Sequence, residues 1–576
     1  MRNVVTAIML SLFGAAAVFP LRPALAQQPG NPYENVRLAR LGLIDGNVLM
    51  QRADDEEWVA ASVNMPLRPH DKLWVTEGGR AEVQFDTGAV VRLAENTNVD
   101  LLALDPDFTQ LQLTLGVATV SAHAPPRPPS RPFLELDTPE STMNVSEAVG
   151  FRADVAEDGS SEVTVRRGRL EMARDQEPLT VAADQRVTIE GGDAPRFVLE
   201  AAAPPDEWDH WNDKRDEQLA QAKSLLHLPP DVTMGASDLD GYGRWENVAP
   251  YGSVWVPPVV AGWAPYQSGR WGWVEPWGWT WISYEPWGWL PYHYGRWIVS
   301  ANVGWVWVPG ARLGVWAPGC VRFVYGPEWV GWVPLAPGEV YYYNPRPTVR
   351  VDINLINYRA AGGVTVVSRG QFVSGIPDHR FAPPRDVIHD GRMAVGPPPV
   401  VPTRESLRPL PERTVGPREL PPPQIRRAVV YSTPPSAPPH LFAQRLKEIQ
   451  PAVEKGRAPI AASLPARGAG AHGATGTFSR TTVYKDITTH KVVGSEPPAE
   501  KELHASSESR PAPRESAKVE EPKPPRRVQL GAENESAQSE RAGANVHRKA
   551  QSLYRMPPKP HQVPASRPSD RGDRGR

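Results

Sequence analysis

A period of 26 residues constrains this chain more than any other feature. Gly243-Arg244-Trp245 recurs as Gly269-Arg270-Trp271 and as Gly295-Arg296-Trp297. Gly252, Gly278 and Gly304 keep that spacing, as do Trp255, Trp281 and Trp307, and Trp263-Ala264-Pro265-Tyr266 answers Trp289-Leu290-Pro291-Tyr292. Val321-Arg322-Phe323 stands where a fourth copy should begin. A fixed period of this length marks one supersecondary unit copied along the chain, and no copy can bury its apolar face alone. Within a unit Trp271 and Trp273 are two apart, as are Trp277, Trp279 and Trp281, so in extended strands they share a face. The other face, with Gly272, Gly278 and Thr280, is nearly bare. Glu275-Pro276-Trp277-Gly278 and Glu285-Pro286-Trp287-Gly288 suit type I turns. Each unit therefore reads as a β-hairpin, and residues 230–345 as three or four hairpins in a common sheet or closed barrel. Arg244, Arg270 and Arg296 are placed to stack on an aromatic of the adjacent copy.

Residues 1–26 read as a secretory signal peptide. Arg2 precedes an apolar run from Val4 to Phe19, and Ala24-Leu25-Ala26 is a small-x-small cleavage site. No later stretch approaches 18 apolar residues, so no transmembrane span is expected after cleavage. The single cysteine, Cys320, rules out an internal disulfide framework and reads as a small core residue. Charge is uneven. Residues 27–240 carry 19 Lys/Arg against 38 Asp/Glu, a net of −19, and residues 346–576 carry 37 against 22, a net of +15. Two fates follow for the basic tail: contact with an acidic surface, the chain's own included, or simple solvation.

Residues 35–200 read as an all-β domain. Ala81 to Phe85 alternates at period two, Thr87-Gly88 turns, and Ala89 to Leu93 returns. Leu111 to Ser121, Phe133 to Leu136, Gly150 to Val155, Glu162 to Val165 and Leu170 to Met172 continue as short strands, the pattern of a sandwich or barrel. The run Gly46-Asn47-Val48, Trp58, Leu67 to Thr76, Ala81 to Leu93, Leu111 to Thr119, Thr138-Pro139 and Val163 to Leu170 resembles the periplasmic FecR-type domain, a compact β-domain of which some members regulate extracytoplasmic sigma factors. Val149-Gly150-Phe151 replaces the family's Gly-Thr before a late aromatic strand. Sigma-regulating relatives resemble a cytosolic segment, a membrane helix and then this domain; the signal peptide here fits a stand-alone exported version instead.

Residues 204–228 read as a linking helix, entered through Pro204-Pro205 with acids in its first turn, and Trp208 and Trp211 on one face to dock it. The segment Asp231 to Tyr242 with the 230–345 repeats resembles a Trp/Gly-rich domain of unknown function that often follows FecR-like domains in bacterial envelope proteins. Residues 346–380 are expected to add two or three strands, from Val349 to Ile356, Val364 to Val367 and Gln371 to Val373. From 381 to 576 the Pro/Arg-rich composition reads as a disordered tail, with Leu441 to Ile449 as one short helix. The fold class is mainly β.

The motifs of common enzymes are absent: no Gly-x-Ser-x-Gly, His-Glu-x-x-His or phosphate loop, and no cysteine cluster. No catalytic residue, metal ligand or cofactor is assigned. Asp238-Leu239-Asp240-Gly241 lacks most of a calcium loop, and His293 reads as a packed imidazole. Sixteen of the 20 tryptophans lie between Trp245 and Trp332, and two readings stand side by side. As core, eight buried indoles at about 200 Å² each contribute on the order of 40 kcal/mol gross. As platforms, those a small domain cannot hide form an interaction patch. On the second reading Trp271, Trp273, Trp277, Trp279, Trp287 and Trp289, with Arg270 and Arg296, bind a ligand. The expectation is a non-catalytic exported envelope protein that binds an envelope glycan or envelope protein through this domain. Alternatives are a peptidoglycan- or polysaccharide-binding module, a hydrolase with an unrecognised site, and a FecR-type cell-surface signalling component. Nucleic acid is not an expected partner, because the repeats carry five Lys/Arg against five Asp/Glu.

Overall fold

A computed structural model describes residues 37–454 apart from 124–131, 175–176, 191–194, 231, 311–315, 342–354, 376–391, 394–397 and 410–414, together with the strand Thr481–Thr482. The signal peptide, the strand expected over Val349 to Ile356 (but for its last two residues) and most of the expected tail lie outside the described residues. Among the described residues no helix is long and apolar enough to cross a membrane.

Sixteen strands between Ala39 and Ala201 form one hydrogen-bonded network. Two long strands, Phe108–Ala122 and Ser161–Met172, pair with neighbours in both of its sheets and so join them. The expected hairpin is present: Arg80–Phe85 pairs with Val90–Leu93, Ala81 opposite Leu93 and Val83 opposite Val91. Period-two alternation sends Ala81, Val83, Phe85, Val91 and Leu93 into an aliphatic core. It sends Glu82, Gln84 and Arg92 to the other face, which is also buried. The helix Glu207–Ala220 covers that face. Its Arg215 and the strand residue Arg92 both bind Glu82, and Asp216 pairs with Arg92 at 2.7 Å. Burial alone would raise the Glu82 carboxyl, but the two guanidiniums outweigh it and hold it at about 2.

The linking helix starts on a capping box, Asp206 and Asp209 each accepting from the other's backbone N–H. Trp208 donates to Thr119 Oγ1 at 2.8 Å and stacks on Trp211, as expected of a docked helix. The α-helix ends at Ala220 and a 3-10 turn, Lys223–His227, completes the 204–228 segment. Asp238 pairs with the buried Arg40 of the first domain at 2.6 Å, and Asp240 accepts from Lys223 N and Ser224 N. Both carboxylates therefore tie elements together.

Each repeat is a hairpin. Arg244–Val248 pairs with Gly252–Val256, Gly269–Val274 with Gly278–Ser283, Arg296–Ser300 with Gly304–Val308, and Val321–Tyr325 with Trp329–Pro334. The same cross-strand indole pair recurs as Trp245 opposite Trp255, Trp271 opposite Trp281, and Trp297 opposite Trp307. The glycine of Gly-Arg-Trp follows from that pair and from the main chain facing it, since a Cβ on Gly269 would lie 2.5 Å from Ile282 O and one on Gly295 2.6 Å from Val308 O. A Cβ on Gly269 would lie 2.6 Å from the Trp281 ring, and one on Gly295 2.5 Å from that of Trp307. In the fourth copy Val321 takes the glycine's place, and Trp332 stands opposite Phe323.

The hairpins do not close into a common sheet or barrel. The first and third join through Trp255 and Trp307, the second stands alone, and the fourth is extended by Thr365–Ser368 and Arg392–Met393. Elsewhere single main-chain bonds, such as Trp297 N–H to Leu335 O at 2.9 Å, and the packing of indoles take the place of a continuous ladder. Gln371, Phe372 and Val373, expected as a strand, lie in the helix Arg369–Ser374, which a Ser368–Gln371 capping box starts and Gly375 in the left-handed region ends. Ordered structure also extends beyond 381. Residues 398–409 and 415–454 pack back on the domains, with Val400, Leu407, Phe442, Ile449 and Val453 buried among the tryptophans. The short helix is present as Phe442–Glu454. Composition missed this packing because the segment adds a few side chains to a core made elsewhere.

Candidate functional site

Trp271, Trp273, Trp277, Trp279, Trp287 and Trp289 are each at most 4% exposed. They are core, and the expectation that they present a binding face is corrected. Of the sixteen tryptophans, only Trp245 and Trp263 are as much as half-buried; the other fourteen are buried. The excess that a small domain cannot hide is hidden by Leu38 of the first domain and by the returning tail. Many indole N–H groups find carbonyls: Trp255 donates to Leu239, Trp279 to Val400, Trp297 to Pro291, Trp307 to Tyr294 and Trp332 to Tyr266. A buried indole with a backbone partner is oriented for packing.

The two arginines do not stack as expected. Arg270 is buried and donates to the carbonyls of Val373 and Glu405, which fastens the tail across the bare glycine face of the second hairpin. Arg296 donates to the carbonyls of Glu339 and Gly295. These carbonyls lie in the helix Arg369–Ser374, in the turn Arg404–Leu407 and beside the hairpin strands.

Three further polar groups of the repeat domain are buried or half-buried. Glu285 accepts from Tyr292 Oη and from Trp263 Nε1, and burial raises its carboxyl to about 7 against those two hydrogen bonds. Gly288 N–H donates to Glu285 O at 2.9 Å, closing the expected turn. His293 is packed as expected, its Nδ1 2.8 Å from Ala317 O, and burial lowers it to about 4. Burial raises the Cys320 thiol, which disfavours a reactive thiolate.

The first domain holds the most developed polar surface. Glu135 and Asp137 lie two apart on the strand Leu134–Asp137, hence on one face, with Gln110 of the parallel neighbour between them. Thr142 and Asn144 of the next strand complete the row. All five are at most 5% exposed, covered by residues 430–433 of the returning tail. Glu135 Oε1 accepts from Ser432 N and Thr433 N, both at 2.9 Å, and Oε2 from Thr433 Oγ1 at 2.7 Å. Gln110 Nε2 donates to Thr433 O at 2.7 Å and Thr142 Oγ1 to Val430 O at 2.7 Å. Val430 N–H donates to Thr138 O at 3.0 Å, and Asn144 Nδ2 to Ser432 Oγ at 3.2 Å. Burial, then the neighbouring Glu135 carboxylate, pushes Asp137 well above the usual carboxylate range. Further along, Trp74 Nε1 donates to Glu419 O at 3.0 Å, and Val415 and Ile425 pack on Leu49, Trp74 and Leu115.

The sequence analysis missed these residues. The available signal was Leu134-Glu135-Leu136-Asp137, which puts two acids on one face of a strand. Their partners lie 297 and 298 positions downstream, where no local pattern points. The basic tail also meets acids of the first domain: Arg404 pairs with Asp55 at 2.5 Å and Arg408 with Glu57 at 2.7 Å.

Comparison with known proteins matches residues 71–171 to the family described as FecR protein, and residues 236–339 to a family of unknown function, DUF6600. No curated protein matches the chain. Two crystal structures described as an anti-sigma factor from Parabacteroides distasonis, at 2.50 and 1.65 Å resolution, are similar at 16% identity and a TM-score of 0.20. The similarity covers 23% of this chain and 59% of each of those chains.

Proposed function

We propose that this chain, a FecR domain followed by a DUF6600 domain, is a non-catalytic protein of the bacterial envelope that contacts a protein partner as a FecR-type signalling component. Its place is the periplasm or the cell exterior, in keeping with the signal-like residues 1–26. The observation that carries the reading is the FecR match over residues 71–171. Burial of the tryptophans supports it from the other side, since closed indoles offer no sugar platform and turn attention to the first domain. The DUF6600 hairpins then act as a scaffold that anchors the returning tail through Arg270, Trp279 and the Leu407 and Phe442 side chains.

The test is transcript profiling of cells that lack the chain. A defined set of envelope genes should change and be restored by the native protein. An unchanged profile, together with saturable binding of peptidoglycan fragments to the purified chain, overturns the reading in favour of a glycan-binding module.

A further inference from the structure

The tail segment 427–436 lies on the FecR domain as an extended peptide lies in a receptor. Its contacts are mostly to its main chain. Glu135 takes two consecutive N–H groups, Gln110 and Thr142 give hydrogen bonds to two C=O groups, Thr138 O takes a third N–H, and Arg427 Nη1 donates to Ala156 O at 2.8 Å. His70 Nε2 meets Ser436 Oγ at 3.1 Å at the far end. A pair of buried carboxylates on a sheet is an expensive way to pack two parts of one chain, because an apolar contact of the same size needs no polar desolvation. It is chemistry that recognises peptide backbone, to which Arg427, Ser432, Thr433 and Ser436 add one side-chain contact each. Pro434 and Pro435 follow the recognised pair, and their fixed φ lowers the ordering entropy lost on docking.

We propose that Gln110, Glu135, Thr138, Thr142 and Asn144 form a binding groove for an extended, proline-bearing peptide, and that residues 427–436 are its intramolecular occupant. A partner that supplies such a segment competes with the tail for the groove, and the freed tail carries the helix Phe442–Glu454 with it. This deepens the function proposed above by naming the partner's chemistry, and it rests on that reading only in taking the partner to be a protein.

The test uses the full chain and a fluorescent peptide copying residues 415–436. In the native protein the amides of Ser432 and Thr433 should exchange with solvent about tenfold or more slowly than in the free peptide, and the peptide should not bind. The double variant Ser432→Pro, Thr433→Pro removes both N–H donors from the tail and leaves the groove intact. It should bind the peptide saturably by anisotropy, and a peptide N-methylated at those two positions should not bind. Continued protection of Val149–Val155 and Ser161–Met172 amides shows that the variant is folded. Fast exchange in the native chain, a folded variant that ignores the peptide, or equal binding of the N-methylated peptide overturns the proposal. None of these readouts involves transcription, so this groove and the signalling reading can fail separately.

Discussion

Between Ala39 and Ala201 the core is built from Val, Leu, Ala, Met and Phe in strict alternation, and the hidden outer faces carry ion pairs and carboxylates. Between Arg244 and Pro334 indoles close one face of the hairpins, valines join the other faces of the first and third, the returning tail covers that of the second, and much of the remaining polar satisfaction runs through backbone carbonyls. Both regions are β, yet they solve opposite problems. Short aliphatic side chains let neighbouring strands pair continuously, so sixteen strands share one network. Tryptophan supplies more buried area per residue, and glycine stands where the Trp255, Trp281 and Trp307 rings cross the neighbouring strand. The contrast leaves buried carboxylates under the tail in the first region and packed indoles in the second.

The largest expected effect comes from cutting an indole out of its cluster. Trp281 packs on Tyr266, Trp271, Tyr292 and Trp332, so Trp281→Ala should cost about 3–5 kcal/mol in urea denaturation. A cost below about 1 kcal/mol would mean the second region is not held by its tryptophans.

Next is the coupling between glycine and ring. Gly295→Ala should cost about 3 kcal/mol, combining a Trp307 clash with a φ of +60°. Gly304→Ala meets nothing within 4 Å and has a φ of +78°, so its cost should be about 1 kcal/mol. In a Trp307→Val background the Gly295→Ala penalty should shrink by the ring's share of the clash, while the share from Val308 O, 2.6 Å from the added Cβ, remains. Simple additivity in this double-mutant cycle would refute the pairing of glycine with ring.

A smaller effect is pH-dependent. Glu285 titrates at about 7 in the folded chain against an ordinary 4.5. The folded state therefore holds a proton that the unfolded state has released, and stability falls as pH rises from 4.5 to 7. His293, lowered to about 4 from 6.5, acts oppositely: the unfolded state takes the proton, so stability falls as pH drops from 6.5 to 4. Glu285→Gln should remove the first dependence, by about 1–2 kcal/mol after allowing for its partial exposure, and leave stability rising with pH up to 6.5. Melting temperatures across this range decide it.

The smallest expected change is none. Intrinsic fluorescence of the full chain should be blue-shifted, resist aqueous quenchers and stay unmoved by peptidoglycan fragments or polysaccharides. A saturable shift would return the tryptophans to a binding role.

The repeat predicted every hairpin, because period 26 and alternation within it are local and need only the pleat of a strand. The Arg80–Leu93 hairpin, the capped helix after Pro205 and the packed His293 were legible for the same reason. Exposure of Trp271, Trp273, Trp277, Trp279, Trp287 and Trp289 was not. Whether an indole is covered depends on what returns to cover it, and Leu407, Phe442 and Ile449 return from a segment whose composition reads as unfolded.

By itself, the sequence determined the β class of both domains, three or four hairpins and the recurring Gly-Arg-Trp, since these follow from a period and an alternation read along the chain. Only the tertiary structure decided which hairpins pair, that Arg270 and Arg296 bind carbonyls, and that Glu135 holds the backbone of residues 432 and 433. Those outcomes are set by contacts between distant segments, where burial converts an ordinary acid or indole into a specific partner.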